Sequence, residues 1–101
     1  MRLPDGRAAA RREPAVTAAA GFRSYLRLAH FDSAQQRQRF YVLVWQPGLF
    51  GGGALVRSWG LVGARGRSLM TRYLDRRAAQ PVIERLVQRQ LGHGYRVVEL
   101  N

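Results

Sequence analysis

The hydrophobic period switches from strand-like to helical late in this chain, and that change bounds the fold. Up to Tyr73 the larger apolar residues come in short runs or in alternation. From Ala79 they recur at helical spacing. Ala79, Val82, Ile83, Leu86, Val87 and Leu91 fall on one stripe of an amphipathic helix, and Glu84, Arg85, Gln88 and Arg89 lie on the opposite face. Before the switch, Leu26 and Leu28 alternate with Tyr25, Arg27 and Ala29, which predicts a short strand over Tyr25–Phe31. Ser33–Arg39 is polar and suits a loop. Phe40–Trp45 is a near-continuous apolar run and reads as a central strand covered on both faces. Pro47-Gly48 stops it, and Gly51-Gly52-Gly53 makes a permissive turn. Ala54–Val62 and Arg67–Tyr73 are two more strands, joined by a tight turn at Gly63-Ala64-Arg65-Gly66.

The helix start has two readings. Asp75 suits a start but leaves Pro81 awkward inside the helix; with Gln80 near the cap, Pro81 becomes the first helical residue, where its missing N–H costs nothing. A short turn over Asp75–Ala79 reconciles the two. Gly92 or Gly94 ends the helix, and Tyr95–Leu100 is a last strand. The expectation is an α+β fold: a small antiparallel sheet of about five strands with one helix packed on one face.

Residues 1–21 differ from the rest. They are rich in Ala and Arg and hold few large aliphatic side chains, so they promise little burial to offset their ordering entropy. The expected division is a flexible Arg/Ala-rich arm over 1–21 and one domain over 22–101. The arm is a poor fit to a signal peptide, because its apolar stretch is short; an organellar transit peptide is a rival reading. Arginine in place of lysine throughout suits a GC-rich genome, and the chain reads as cytoplasmic.

Charge and composition then narrow the function. All 17 basic residues are Arg, against 6 acids, for a net charge of +11. The arm is net +2 and the domain net +9, so the folded part is basic by itself. That points to a polyanion partner. With no Cys and two His, thiolate and multi-histidine metal sites are excluded, and no cofactor or metal is expected. No apolar run is long enough to cross a bilayer, so no membrane role is expected. The domain's acids, Asp32, Asp75, Glu84 and Glu99, form no visible pair for acid–base chemistry. His30 and His93 have no nucleophile beside them, and His93 suits a helix end. The chain reads as no enzyme. Gly51-Gly52-Gly53 lacks the following Lys and helix of a phosphate-binding loop and is a turn. Phe50 is either a core plug beneath that turn or an apolar contact for a partner.

The candidate binding residues are Arg57, Trp59, Gly60, Arg65, Arg67, Arg76 and Arg77. On an unbulged strand Arg57, Trp59 and Leu61 share a face. Trp59 either stacks on a base or sugar or covers the sheet as a core residue. Arg65, Arg67, Arg72, Arg76 and Arg77 fall within thirteen residues. Arg67 and Arg72 point to opposite faces of a strand, which leaves a partial patch of Arg57, Arg65, Arg67, Arg76 and Arg77 to track phosphates.

Arg39-Phe40-Tyr41, Leu49-Phe50-Gly51-Gly52, Val56-Arg57-Ser58-Trp59-Gly60-Leu61-Val62-Gly63, Gly66-Arg67 and Gly94-Tyr95-Arg96 occur in that order. This set resembles the WGR domain family over about residues 23–100. The resemblance implies a small antiparallel sheet with one helix. It also implies a role like that of the WGR domain in poly(ADP-ribose) polymerases, which binds DNA near a strand break. There the motif Trp and Arg contact a strand end, and other surfaces meet neighbouring domains. Leu61 stands where the motif has Arg, and Leu cannot make an Arg's charge-assisted hydrogen bonds. Arg57, Arg65 or Arg67 would have to compensate. The expected partner is DNA or another nucleic acid, held with little sequence preference and with possible strand-end recognition. The alternative is a protein-interaction adaptor that docks a protein partner on the sheet around Trp59 and Leu61.

Overall fold

The computed structural model describes residues 6–101, with side chains from residue 13 onward. Its elements are α1 (Gly6–Gly21), β1 (Tyr25–Asp32), β2 (Arg37–Pro47), β3 (Gly53–Leu61), β4 (Arg67–Tyr73), α2 (Arg76–Gly92) and β5 (Arg96–Leu100). The five strands form one antiparallel sheet in the order β4-β3-β2-β1-β5. The α+β expectation holds, with one more helix than the sequence suggested.

That extra helix corrects the reading of 1–21 as a flexible arm. Residues 6–21 are helical, and Ala15, Ala18 and Ala19 are buried. Small side chains bury little each, but they let α1 lie close against α2, and Ala carries the highest helix propensity. The end of α1 is tied down from α2. An Arg76 guanidinium N–H donates to the Phe22 carbonyl at 2.8 Å, and the Gln80 amide donates to the Ala19 carbonyl at 2.8 Å. Those carbonyls would otherwise be among the unpaired acceptors of a helix end, and a cation there also suits the helix dipole. Residues 1–5 of the expected arm lie outside the described residues.

β2 is the middle strand, as its apolar run predicted, but only one of its faces is covered. Tyr41, Leu43 and Trp45 are buried toward the helices with Leu26 and Leu28 of β1 and Leu55 of β3. Phe40, Val42 and Val44 point the other way and are half-buried. β2 also begins earlier than the polar loop reading allowed. Asp32 accepts backbone N–H bonds from Ala34 and Gln35, and Gln36 takes a positive φ of 53°. This side-chain-supported turn closes β1 and β2 into a hairpin.

α2 starts on Asp75, whose carboxylate accepts the Ala78 N–H at 2.7 Å. Pro81 therefore sits inside the helix rather than at its first position, because the Asp75 cap and the contacts of Arg76 outweigh one missing N–H. Ala79, Ile83, Leu86 and Val87 are buried as the stripe predicted, with Val82 and Leu91 packed beside them. The helix ends at Gly92, with His93 as its cap and Gly94 at φ 93°. Phe50 is fully exposed, so it is no core plug. The Gly48 N–H donates to the Gly52 carbonyl at 3.0 Å and closes the loop without it.

Candidate nucleic-acid interface

The register of β2 on β3 runs without a shift from Pro47↔Gly53 to Arg39↔Leu61. Arg57, Trp59 and Leu61 therefore share the helix-side face, as alternation predicted. Arg67 of β4 lies directly across from Trp59, on the same face. The C-terminal half of α2 comes down beside them. Together Tyr41, Arg57, Trp59, Leu86, Arg89, Gln90 and Tyr95 line a cleft of about 200 Å³.

Trp59 covers the sheet, as one of its two readings had it, without being sealed in the core. It packs against the core cluster and stays half-buried, with one side forming the cleft wall. Its ring lies 6.5 Å from that of Tyr41 in a stacked arrangement, and the Arg57 guanidinium sits 5.9 Å from the Trp59 ring centroid. Such a contact fixes the plane of a guanidinium and leaves its edge N–H groups free to donate. The Tyr41 hydroxyl is buried and has no hydrogen-bond partner among the described residues. Burial pushes its pKa above the usual tyrosine value, and the positive charges of Arg57 and Arg89 pull the other way.

Among the described residues no carboxylate lines this cleft. The nearest acid in the sheet register is Asp32, and it is engaged elsewhere. The Arg39 Nε–H donates to its carboxylate at 3.1 Å, which with the Gln35 and Ala34 N–H groups holds its pKa below the ordinary range. Arg39 faces Leu61 across the strands. An arginine thus stands next to the position where the motif arginine is missing, but it comes from β2 and carries a partner.

Gly60 and Gly66 explain how the β3–β4 hairpin closes here. They take φ values of 155° and 58°, and a Cβ on Gly60 would fall 2.7 Å from the Gly66 Cα. A Cβ on Gly66 would fall 2.7 Å from the Trp59 carbonyl oxygen. Only two glycines permit that approach. Gly60 therefore serves as backbone geometry behind Trp59, on the opposite face of the sheet, and offers the cleft no side chain.

The other predicted residues are divided. Arg65 lies exposed in the turn after β3, close in sequence to Arg67. Arg76 and Arg77 are not brought to this end. Arg76 sits over the rings of Phe22 at 5.0 Å and Trp45 at 5.4 Å, and also donates to the Gln80 side chain at 2.6 Å. Burial lowers its pKa. Trp45 is four residues from Tyr41 on β2, about 13 Å along an extended strand. Arg76 is thus a packing residue between the helices and the sheet, and the single patch of Arg57, Arg65, Arg67, Arg76 and Arg77 is not formed. Arg77 is exposed in the first turn of α2, at that same far end.

Sequence reasoning missed Tyr41, Arg89, Gln90 and Tyr95. Arg89 and Gln90 sit three and four residues after the buried Leu86, so helix spacing carried the signal. Tyr95 is held by its backbone N–H to the Gln90 carbonyl at 3.0 Å and by the His30 ring at 5.3 Å. His30 Nδ1 in turn lies 3.1 Å from the Gly94 carbonyl oxygen, which gives that histidine a structural position. Among the described residues no group of His, Asp or Glu is placed to hold a metal ion.

The WGR domain model matches residues 25–100, three quarters of the chain and every strand of the sheet. No curated protein and no solved structure matches it. The matched span holds the Trp59 cleft, α2 and the Gly60–Gly66 closure and leaves out α1, and on this match the chain belongs to the WGR family.

Proposed function

We propose that this protein is a nucleic-acid-binding module that grips phosphates at the Trp59 cleft. WGR domains in general bind nucleic acids. The observation that carries the reading to these residues is the charge of the cleft. Arg57 and Arg89 line it, Arg67 lies across from Trp59, and among the described residues no carboxylate lines it with them. Each phosphate neutralised by an arginine releases condensed counterions, which gives binding a steep salt dependence. Trp59 offers a flat surface for a sugar or a terminal base. The reading assigns no base-edge readout: the charged groups lining the cleft are the guanidiniums of Arg57 and Arg89, which suit phosphates. The protein acts by binding and carries out no reaction of its own.

Fluorescence anisotropy with a labelled duplex tests this. One duplex has an open 5′-phosphorylated end; the other is a closed dumbbell of equal length. Tighter binding to the open end means that strand-end recognition persists with Leu61 in the motif. Equal and salt-sensitive binding to both means backbone contact without end recognition. Absence of binding to either at low salt overturns the proposal.

A further inference from the structure

The face of the sheet turned away from both helices carries a different surface. Strand alternation presents Ala29 and Phe31 from β1 and Phe40, Val42 and Val44 from β2, and the hydrogen-bonded Ser58 and Ser68 lie beside Val42 on β3 and β4. An antiparallel sheet with one covered face normally turns polar residues to water on the other. Here the middle of that face is apolar, and Phe31 remains 50% exposed. A patch of this kind marks an interaction site.

We propose that this face binds single-stranded nucleic acid, with bases stacked along a diagonal of aromatic rings. Ala29 pairs with Phe40, so Phe31 and Phe40 are diagonal neighbours on adjacent strands, and the small Ala29 leaves the space beside them open. The Arg27 guanidinium lies over the Phe40 ring, 5.7 Å from its centroid, and Tyr25 follows Arg27 on β1. Rings and a guanidinium plane in series can each take a base face without regard to its identity. Beside Phe31 a second cleft, of about 280 Å³, is lined by Ala29, Gln38 and Arg96 among others. It sets hydrogen-bond donors next to the most exposed ring.

Charge selects the class of occupant. Among the described strand residues, Arg27, Arg72 and Arg96 lie on this face against Glu99 alone, as the registers of β5 on β1 and β4 on β3 place them. A polyanion complements that surface. A second copy of a chain with net charge +11 is repelled by it. An exposed backbone of phosphates with unstacked bases fits both the rings and the arginines; a duplex hides its base faces. The surface is on the opposite side of the sheet from the Trp59 cleft and stands whether or not that cleft binds.

The test uses the full chain and two labelled probes of equal length, oligo(dT) and oligo(U), with duplex binding read in parallel. Phe31→Ala is expected to weaken single-strand binding roughly five- to 150-fold, the range that losing one stacked base gives. Phe31→Tyr keeps binding, because the ring face remains. Duplex binding by Phe31→Ala stays within about twofold of the parent, since the phosphate contacts of the other face are untouched. Unchanged circular dichroism and unchanged fluorescence from Trp45 and Trp59 report an intact fold. A preference for oligo(U) adds recognition of the 2′-hydroxyl, and equal affinity for both probes means stacking alone; either supports the proposal. If single strands bind and duplexes do not, the Trp59 reading falls and this one stands. The proposal is overturned if neither probe binds, if Phe31→Ala binds as the parent does, or if sedimentation shows a dimer that Phe31→Ala dissociates.

Discussion

Leu61 stands where the motif that names the family has Arg, and the structure gives that position a test. It is half-buried on the helix-side face, two residues from Trp59 and opposite Arg39. Leu61→Arg adds a guanidinium beside the cleft. If the cleft grips phosphate, duplex affinity rises, by about threefold to thirtyfold for one charge-assisted contact. If the face docks a protein instead, the same change places an unpaired charge in an apolar contact and weakens it. Gly66 allows a second test. Gly66→Ala forces a Cβ toward the Trp59 carbonyl at a φ that side chains avoid. It should cost about 1–3 kcal/mol in chemical denaturation and shift Trp59 fluorescence. Unaltered stability would mean that the hairpin does not need this approach. At this scale much was legible. Alternation alone put Arg57 and Trp59 on one face, and the structure sets them 5.9 Å apart. Arg89 and Tyr95 were not legible, because only the path of α2 across the sheet brings them to Trp59.

The two helices show where element-level reasoning holds and where it stops. α2 was read from its apolar stripe, and the same residues are buried in the structure. α1 was read as unstructured because its burial was judged from its own side chains. The deciding contacts come from Arg76 and Gln80, 61 residues later for the Gln80–Ala19 bond. A lone stretch of alanine gives no sign of a partner that will cap its carbonyls. Arg76 was read as a phosphate contact for the same reason: nothing in the local sequence distinguishes it from Arg77. The structure separates the two, and so does an experiment. Arg76→Ala removes bonds to Phe22 and Gln80 and the cover over Trp45, and should cost about 2–3 kcal/mol. Arg77→Ala, at an exposed position, should stay within about 0.5 kcal/mol of the parent. Thermal unfolding of both variants checks this; equal losses would mean that Arg76 does not join the helices to the sheet.

For the whole molecule, the net charge of +11 says that it attracts polyanions but not where it holds them. The fold supplies the place. One helix-covered face leaves a cleft with Trp59 and arginines at one end of the sheet, and it moves Arg76 and Arg77 to the other end. This predicts that salt dependence belongs to particular arginines and not to the total charge. The most direct measurement is the slope of log affinity against log salt for duplex DNA, in the parent, in Arg57→Gln/Arg67→Gln and in Arg77→Gln. Each phosphate contact contributes about 0.9 to that slope. The double variant should therefore flatten it by about two such contacts, and Arg77→Gln should leave it as it was. Flattening by Arg77→Gln about half as large as that by the double variant, in proportion to the charge removed, would contradict a localised site and reduce the binding to the general attraction of a basic protein.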